Sequence, residues 1–203
     1  MEGTKEKILL AALRLFANDG YEAVSVSEIA GELGITKGAL YKHYKNKKDI
    51  FDSIVKRMEE MDFERAVEYE MPEEAACDAA DKYKDMPLDK IKKYAIAQFR
   101  HWTEEEFSSL FRKMLTVEQY RSREMLAMYH QYLGNGPLDY MKDIFEGMAE
   151  NELEAEQLAI EFYAPMYMLY GIYDNAEDKR AVFGMIERNL DRFIEKIKIG
   201  SEL

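Results

Sequence analysis

The chain has 203 residues and a net charge of −12, with 47% hydrophobic and 33% charged residues, 4 prolines, 11 glycines and a single cysteine. A chain of this size buries a core without metals or disulfides, and Cys77 alone cannot form an internal disulfide; this points to a reducing, cytoplasmic setting and to a small buried apolar thiol rather than a reactive one. The charge argues against nucleic-acid binding by the surface as a whole, and no membrane partner is expected: MEGTKEKILLAALRLF lacks the apolar core and cleavage site of a signal peptide, and no run of about 18 apolar residues occurs.

Few Pro and Gly beside abundant Leu, Ala, Glu, Lys and Met predict an all-α fold. In chain order, Thr4 is the expected cap of the first helix, with Lys7 where a full capping box has Glu. Ile8, Leu9, Ala12, Leu15 and Phe16 recur as one apolar stripe, and Asn18-Asp19-Gly20 stops the helix. Ser25-Val26-Ser27-Glu28 matches a complete capping box; its helix carries Ile29, Ala30 and Leu33 and ends at Gly34. Thr36 caps a third helix, Lys37 to about Tyr44. Asn46 caps a fourth, with Asp49 at its third position, running to about Glu68.

Two short helices joined by a tight glycine turn form a helix-turn-helix, whose second helix enters the major groove of DNA with its N-terminal residues toward base edges. The charge distribution agrees. Residues 1–50 hold eight Lys and Arg against seven Asp and Glu, 8 − 7 = +1, so the remainder carries −13. Lys37, Lys42, Lys45, Lys47 and Lys48 share one window, with no acidic residue between Thr36 and Lys48. Thr36, Lys37, Gly38 and Ala39 stand where base edges would be; Lys37 suits guanine or phosphate, and Ala39 a thymine methyl. Gly38 inside a helix costs about 1 kcal/mol relative to Ala. Either the backbone approaches DNA closely there, or glycine avoids a clash with the first helix. Ser25 and Ser27 open the helix that crosses the DNA backbone, within reach of phosphate. Lys42 and His43 follow on the exposed side, and His43 is either a donor to phosphate or base or a solvated surface histidine. Leu40 and Tyr44, four apart, face the core. Lys45 and Lys48 read as solvated charge as readily as contacts.

The pattern I…AAL.LFA..GY.A.SV..IA..LGI.KGALY.HY.NK..I resembles the DNA-binding domain of the tetracycline-repressor (TetR) family. The matching residues are Ile8, Ala11, Ala12, Leu15, Phe16, Gly20, Tyr21, Ile29, Ala30, Leu33, Gly34, Leu40, Tyr41, Tyr44, Lys47 and Ile50, within about residues 4–51. The resemblance implies a phosphate contact for the Tyr41 hydroxyl and a phosphate clamp at Lys47, whose place at a helix start adds the positive end of the helix dipole. The family often has Phe at the place of Tyr44, and the ring is still expected in the small core. It implies further a homodimeric regulator, most often a repressor, on a palindromic double-stranded DNA operator, released by a small-molecule effector.

The expected architecture is therefore an N-terminal three-helix helix-turn-helix domain, residues 1–50, and a larger helical-bundle effector and dimerisation domain, residues 51–203. In the latter, EYEMPEEAACDAADKYKDMP is expected to hold a short helix and loops. Helices follow at about 88–102, 105–118 and 121–150, the last interrupted by GNGP at Gly134 to Pro137, then at about 154–173 and 178–198. Tyr, Phe and Met cluster here. Most suit a core, but pockets for small molecules are also lined by aromatic and adaptable Met side chains. Phe99, Trp102, Phe111, Met114, Tyr129, Tyr163, Met166 and Tyr167 are the candidate pocket. EFYAPMYMLYGIYD is apolar nearly all round, so Tyr170 and Tyr173, with Phe183, Ile186, Leu190 and Phe193 of the last helix, are the candidate dimer interface; the resemblance implies a four-helix bundle there. His101 with Glu104 or Glu105 has helical spacing but is a weak metal site. Without HExxH, CxxC, P-loop or GxSxG motifs, no cofactor, metal or catalytic residue is expected, and the chain is not read as an enzyme. The competing reading is a ligand-binding or protein-interaction helical module without strong DNA affinity.

Overall fold

The computed structural model describes residues 3–71 and 87–200. Cys77 and most of EYEMPEEAACDAADKYKDMP lie outside the described residues. The fold is all-α, with no strand among the described residues. Its helices are α1 (Thr4–Asp19), α2 (Val26–Glu32), α3 (Lys37–Leu40), α4 (Lys47–Glu68), α5 (Leu88–Glu104), α6 (Glu106–Glu118), α7 (Arg123–Leu133), α8 (Asn135–Glu146), α9 (Glu152–Asn175) and α10 (Lys179–Gly200).

Local rules account for most boundaries. The cap of α1 is Gly3 rather than Thr4, and no side chain completes it. Thr4 is already helical, because the extended turn falls at Gly3, whose carbonyl accepts the Lys7 N–H at 3.3 Å. The expected box at α2 is complete. The Ser25 hydroxyl accepts the Glu28 N–H at 3.2 Å, and the Glu28 carboxylate accepts the Ser25 N–H at 2.7 Å. Gly34, at φ 64°, ends α2 with both bonds of a Schellman turn, Ile35 N–H to Ala30 O and Gly34 N–H to Gly31 O, each 3.0 Å. Asn46 Oδ1 takes the Asp49 N–H at 2.9 Å, and Asp49 Oδ2 takes the Lys45 N–H at 2.7 Å, so α4 starts where expected. α3 is shorter than the expected run to Tyr44. Past Leu40 the bonds mix three- and four-residue spacing, as in Lys42 N–H to Ala39 O and Tyr44 N–H to Leu40 O.

The break expected over Gly134–Pro137 is confined to Gly134. Pro137 sits in the first turn of α8, where its missing N–H would have no helical partner anyway. A side chain at Gly136 would place its Cβ 2.0 Å from the Gln131 carbonyl oxygen, so only glycine allows the turn.

Contacts gather the chain into two compact units, Met1–Glu68 with Glu106–Tyr129, and Tyr69–Glu105 with His130–Leu203. A cut at residue 50 does not follow these units: α4 runs unbroken past it, and α6 packs on α1. In the first unit Ile8, Phe16, Ile29, Leu40, Ile50, Phe51 and Ile54 are buried, each burial being worth about 1.5–3 kcal/mol. In the second, α9 packs on α5, α8 and α10. Phe99 meets the rings of Tyr170, Tyr173 and Phe183 at 5.4, 5.8 and 5.3 Å, and Phe145, Phe162 and Phe193 form a triangle of rings.

Candidate nucleic-acid interface

α3 is two-sided. Leu40 and Tyr44 are buried as expected, and Lys37, Gly38, Tyr41 and Lys42 on the opposite side are exposed. Ala39 and His43 are half-buried at the margin. The Thr36 hydroxyl accepts the Ala39 N–H at 3.1 Å, which fixes the start of the helix. The Lys37 ammonium lies 5.8 Å from the centre of the Tyr41 ring, a cation–π arrangement that keeps both groups on the outer face. At Gly38 the nearest atom to an added Cβ would be Thr36 Oγ1, at 3.9 Å. No clash with α1 accounts for this glycine. The exposed position leaves bare backbone beside open space.

Two further elements flank α3. Ser25 and Ser27 are exposed at the start of α2. The capping box holds the Glu28 carboxyl below the usual carboxylate range, chiefly through the Ser25 backbone N–H. The Lys47 ammonium at the start of α4 donates to the carbonyls of Tyr21 and Glu22, at 2.8 and 3.3 Å, and sits 4.3 Å over the Tyr21 ring. That ring packs on Phe16 and Phe51 at 5.1 and 5.0 Å, and burial pushes its hydroxyl pKa up. Lys48 is engaged elsewhere, with Asp52 and, at 3.1 Å, with Glu124. Tyr44 donates its hydroxyl to the Lys5 carbonyl at 3.4 Å; burial, then the negative Glu6 and Asp49, push its pKa up to about 12.

Residues 8–54 match the model of the family described as bacterial regulatory proteins, tetR family. These residues are a tetR-family domain. Over 67 residues the chain is 42% identical to the HTH-type transcriptional regulator AcrR of Shigella flexneri, a match that takes in 33% of this chain and 31% of that protein. The chain thus matches about a third of that relative's length. Beyond the tetR-family domain the likeness is one of fold. MexZ, a key repressor responsible for antibiotic resistance in Pseudomonas aeruginosa, superposes with a TM-score of 0.68 at 22% identity, covering 96% of this chain and 94% of its own. AibR, in complex with isovaleryl coenzyme A and operator DNA, superposes with a TM-score of 0.60 at 19% identity, covering 90% and 95%.

The other candidate sets fall as follows. Phe99, Trp102, Tyr163 and Met166 are buried in the second unit, where Tyr163 donates to the Leu133 carbonyl at 3.0 Å; Tyr167 is 39% exposed. Phe111, Met114 and Tyr129 are buried in the first unit. Of the residues expected at a dimer interface, Tyr170, Tyr173, Ile186, Leu190 and Phe193 are buried within their own chain, and Phe183 is half-buried among the same rings. The exposed apolar side chains of α9 and α10 are other residues, among them Ile160, Met168, Ile172 and Met185. His101 is buried with Nδ1 2.9 Å from Glu105 Oε2. Among the described residues no group of three or more His, Cys, Asp or Glu could hold a metal ion, and no helix is long and apolar enough to cross a membrane.

Sequence reasoning missed Glu118. The residue is 1% exposed, and its carboxylate accepts the Tyr21 N–H at 3.2 Å, across 97 positions of chain. No capping pattern or period links residues so far apart, so the sequence held no signal for it.

Proposed function

We propose that the chain is a DNA-binding transcriptional regulator, a cytoplasmic homodimer that represses from a palindromic operator and is released by a small-molecule effector. The observation that carries this reading is the outer face of α3. Lys37, Gly38, Tyr41 and Lys42 stand exposed there on a tetR-family domain, over a helix whose other face is locked into the core. In this reading Thr36, Lys37, Gly38 and Ala39 face bases. Ser25, Ser27, Tyr41, Lys42, His43 and Lys47 meet phosphate, His43 from the margin. Phosphate contacts place the protein, and base contacts choose the sequence. Two such helices in a dimer would lie about 34–36 Å apart, in successive major grooves.

Residues 1–50 do the reading and residues 51–203 the dimerisation and sensing. The exposed Ile160, Met168 and Ile172 on α9, with Met185 of α10, are the surface a second copy would cover. It replaces the buried set, whose side chains are already enclosed by their own chain. The buried side chains Phe99, Trp102, Tyr163 and Met166 of the second unit, with Tyr167, are the ones among which an effector would be seated; Phe111, Met114 and Tyr129 belong to the first unit and serve its core. AibR, of like fold, is described in complex with isovaleryl coenzyme A and operator DNA, which supports an effector site beside a DNA site on this fold. By linkage, an effector that weakens DNA binding is itself bound more weakly by the DNA-bound protein, by the same factor.

The test is selection of duplexes from a random pool, followed by titration of the winner across a salt series. Lys47→Ala is expected to weaken binding of all sequences and to lower the salt slope by about one, the share of a single phosphate neutralised. Lys37→Ala is expected to relax preference at its base pair, by about 1–3 kcal/mol. No duplex bound at low salt, or both variants binding as the wild type does, sinks the reading. Met168→Glu with Ile172→Glu is expected to give a monomer in sedimentation; an intact dimer rejects the α9 surface.

A further inference from the structure

We propose that Glu118, a residue with no access to DNA, is a positioning residue for the DNA grip of Lys47; this rests on the regulatory reading above. A buried carboxylate is retained only where it is paired and hydrogen-bonded. Glu118 Oε1 receives the Tyr21 N–H at 3.2 Å and Arg121 Nη1 at 2.8 Å. The same Tyr21 offers its carbonyl to the Lys47 ammonium at 2.8 Å and its ring beneath it at 4.3 Å. One residue is therefore held from the N–H side by α6 and itself holds, from the carbonyl and ring side, the cation that opens α4.

The approach is too close for chance side chains. Gly20, at φ 87°, is the residue before Tyr21, and a Cβ there would lie 2.1 Å from Arg121 Nη1 and 2.7 Å from Glu118 Oε1. An ammonium has three donors. The Tyr21 and Glu22 carbonyls take two from Lys47, leaving a third, with its direction fixed, for a phosphate oxygen. Remove the Glu118 acceptor and the Tyr21 N–H is left without it. The turn after Gly20 then relaxes, and Lys47 reverts to a flexible cation whose ordering costs binding. The second strap between α1 and α6, Arg14 to Glu106, is exposed on both sides and adds little.

The experiment uses the full chain, the selected duplex and a salt series. Glu118→Met fills the same space without an acceptor, and Glu118→Gln keeps an acceptor oxygen for the Tyr21 N–H. Glu118→Met is expected to raise Kd about tenfold, the scale of one missing charge-assisted hydrogen bond, and to move the salt slope to that of Lys47→Ala. Glu118→Gln should stay within about threefold of the wild type. Because the effect runs through Lys47, Glu118→Met with Lys47→Ala should bind no more weakly than Lys47→Ala alone. Additive losses in that pair, or Glu118→Met binding as the wild type does, overturn the proposal while the regulatory reading stands. A wild type that binds no duplex overturns both. If Glu118→Met fails to melt cooperatively, Gly20→Ala, which wedges a methyl against the same carboxylate, replaces it with the same expected outcomes.

Discussion

The window from Thr36 to Lys48 and the helices α9 and α10 are both dense in functional candidates, yet they differ in how a residue's role is set. In the window, neighbours three or four positions apart decide it. Thr36 caps, Leu40 and Tyr44 turn inward, and Lys37 and Tyr41 are left outside. In α9 and α10 the same apolar residue types serve as core and as exposed surface, and local spacing cannot separate these roles. Side chains with distinct jobs by chemical type are legible one at a time; a pool of similar side chains is legible only once its neighbours are known.

The largest effect expected is at Phe99 of α5, in the core that the second of these regions packs around. Phe99 is fully buried against three other rings, so Phe99→Ala should lose about 3–5 kcal/mol of stability in denaturant titration. Met168, 59% exposed on the neighbouring α9, should lose under about 0.5 kcal/mol as Met168→Ala at concentrations where the chain is monomeric. Equal losses would show that burial does not separate the two roles.

Next comes Gly38→Ala. The chain has room for the methyl, so the fold should gain up to about 1 kcal/mol from helix propensity while operator binding weakens. A thermal melt and a binding titration on one preparation read both. Unchanged binding would reject close approach of the backbone to DNA.

A loss of about 1 kcal/mol is expected for Ser25→Ala, because the acceptor for the Glu28 N–H goes. Glu28 should then titrate closer to an ordinary carboxylate, observable by NMR. In the wild type the lowered Glu28 pKa adds a separate contribution to stability, present above the ordinary carboxylate range and lost as pH falls through the folded value.

The smallest effect separates the two faces of the window itself. Tyr44 ionises near 10 when unfolded and about 12 when folded. The folded state therefore holds the proton between these values, and stability falls as pH rises from about 10 to about 12. Tyr44→Phe should lessen that slope in alkaline melts, the raised Tyr21 and Tyr173 hydroxyls keeping the remainder, and leave operator binding at neutral pH unchanged. A slope equal to that of the wild type assigns the alkaline loss to the other groups.

The helical class, the complete capping box at Ser25, the starts of α3 and α4 and the inward pair Leu40 and Tyr44 were all legible in the sequence. Each follows from bonds or spacings within a few residues, which a linear chain displays. The cap of α1 lies at Gly3, one residue before the Thr4 that the sequence favours, because the two differ only in which of them the extended turn falls on. Three facts emerge only in three dimensions: Gly38 has open space beside it, Ile186 and Leu190 belong to the core rather than the surface, and Glu118 meets Tyr21. These depend on which distant segments share a neighbourhood. Burial and hydrogen-bond satisfaction are properties of that neighbourhood, summed over elements far apart in the chain, and no local pattern carries them.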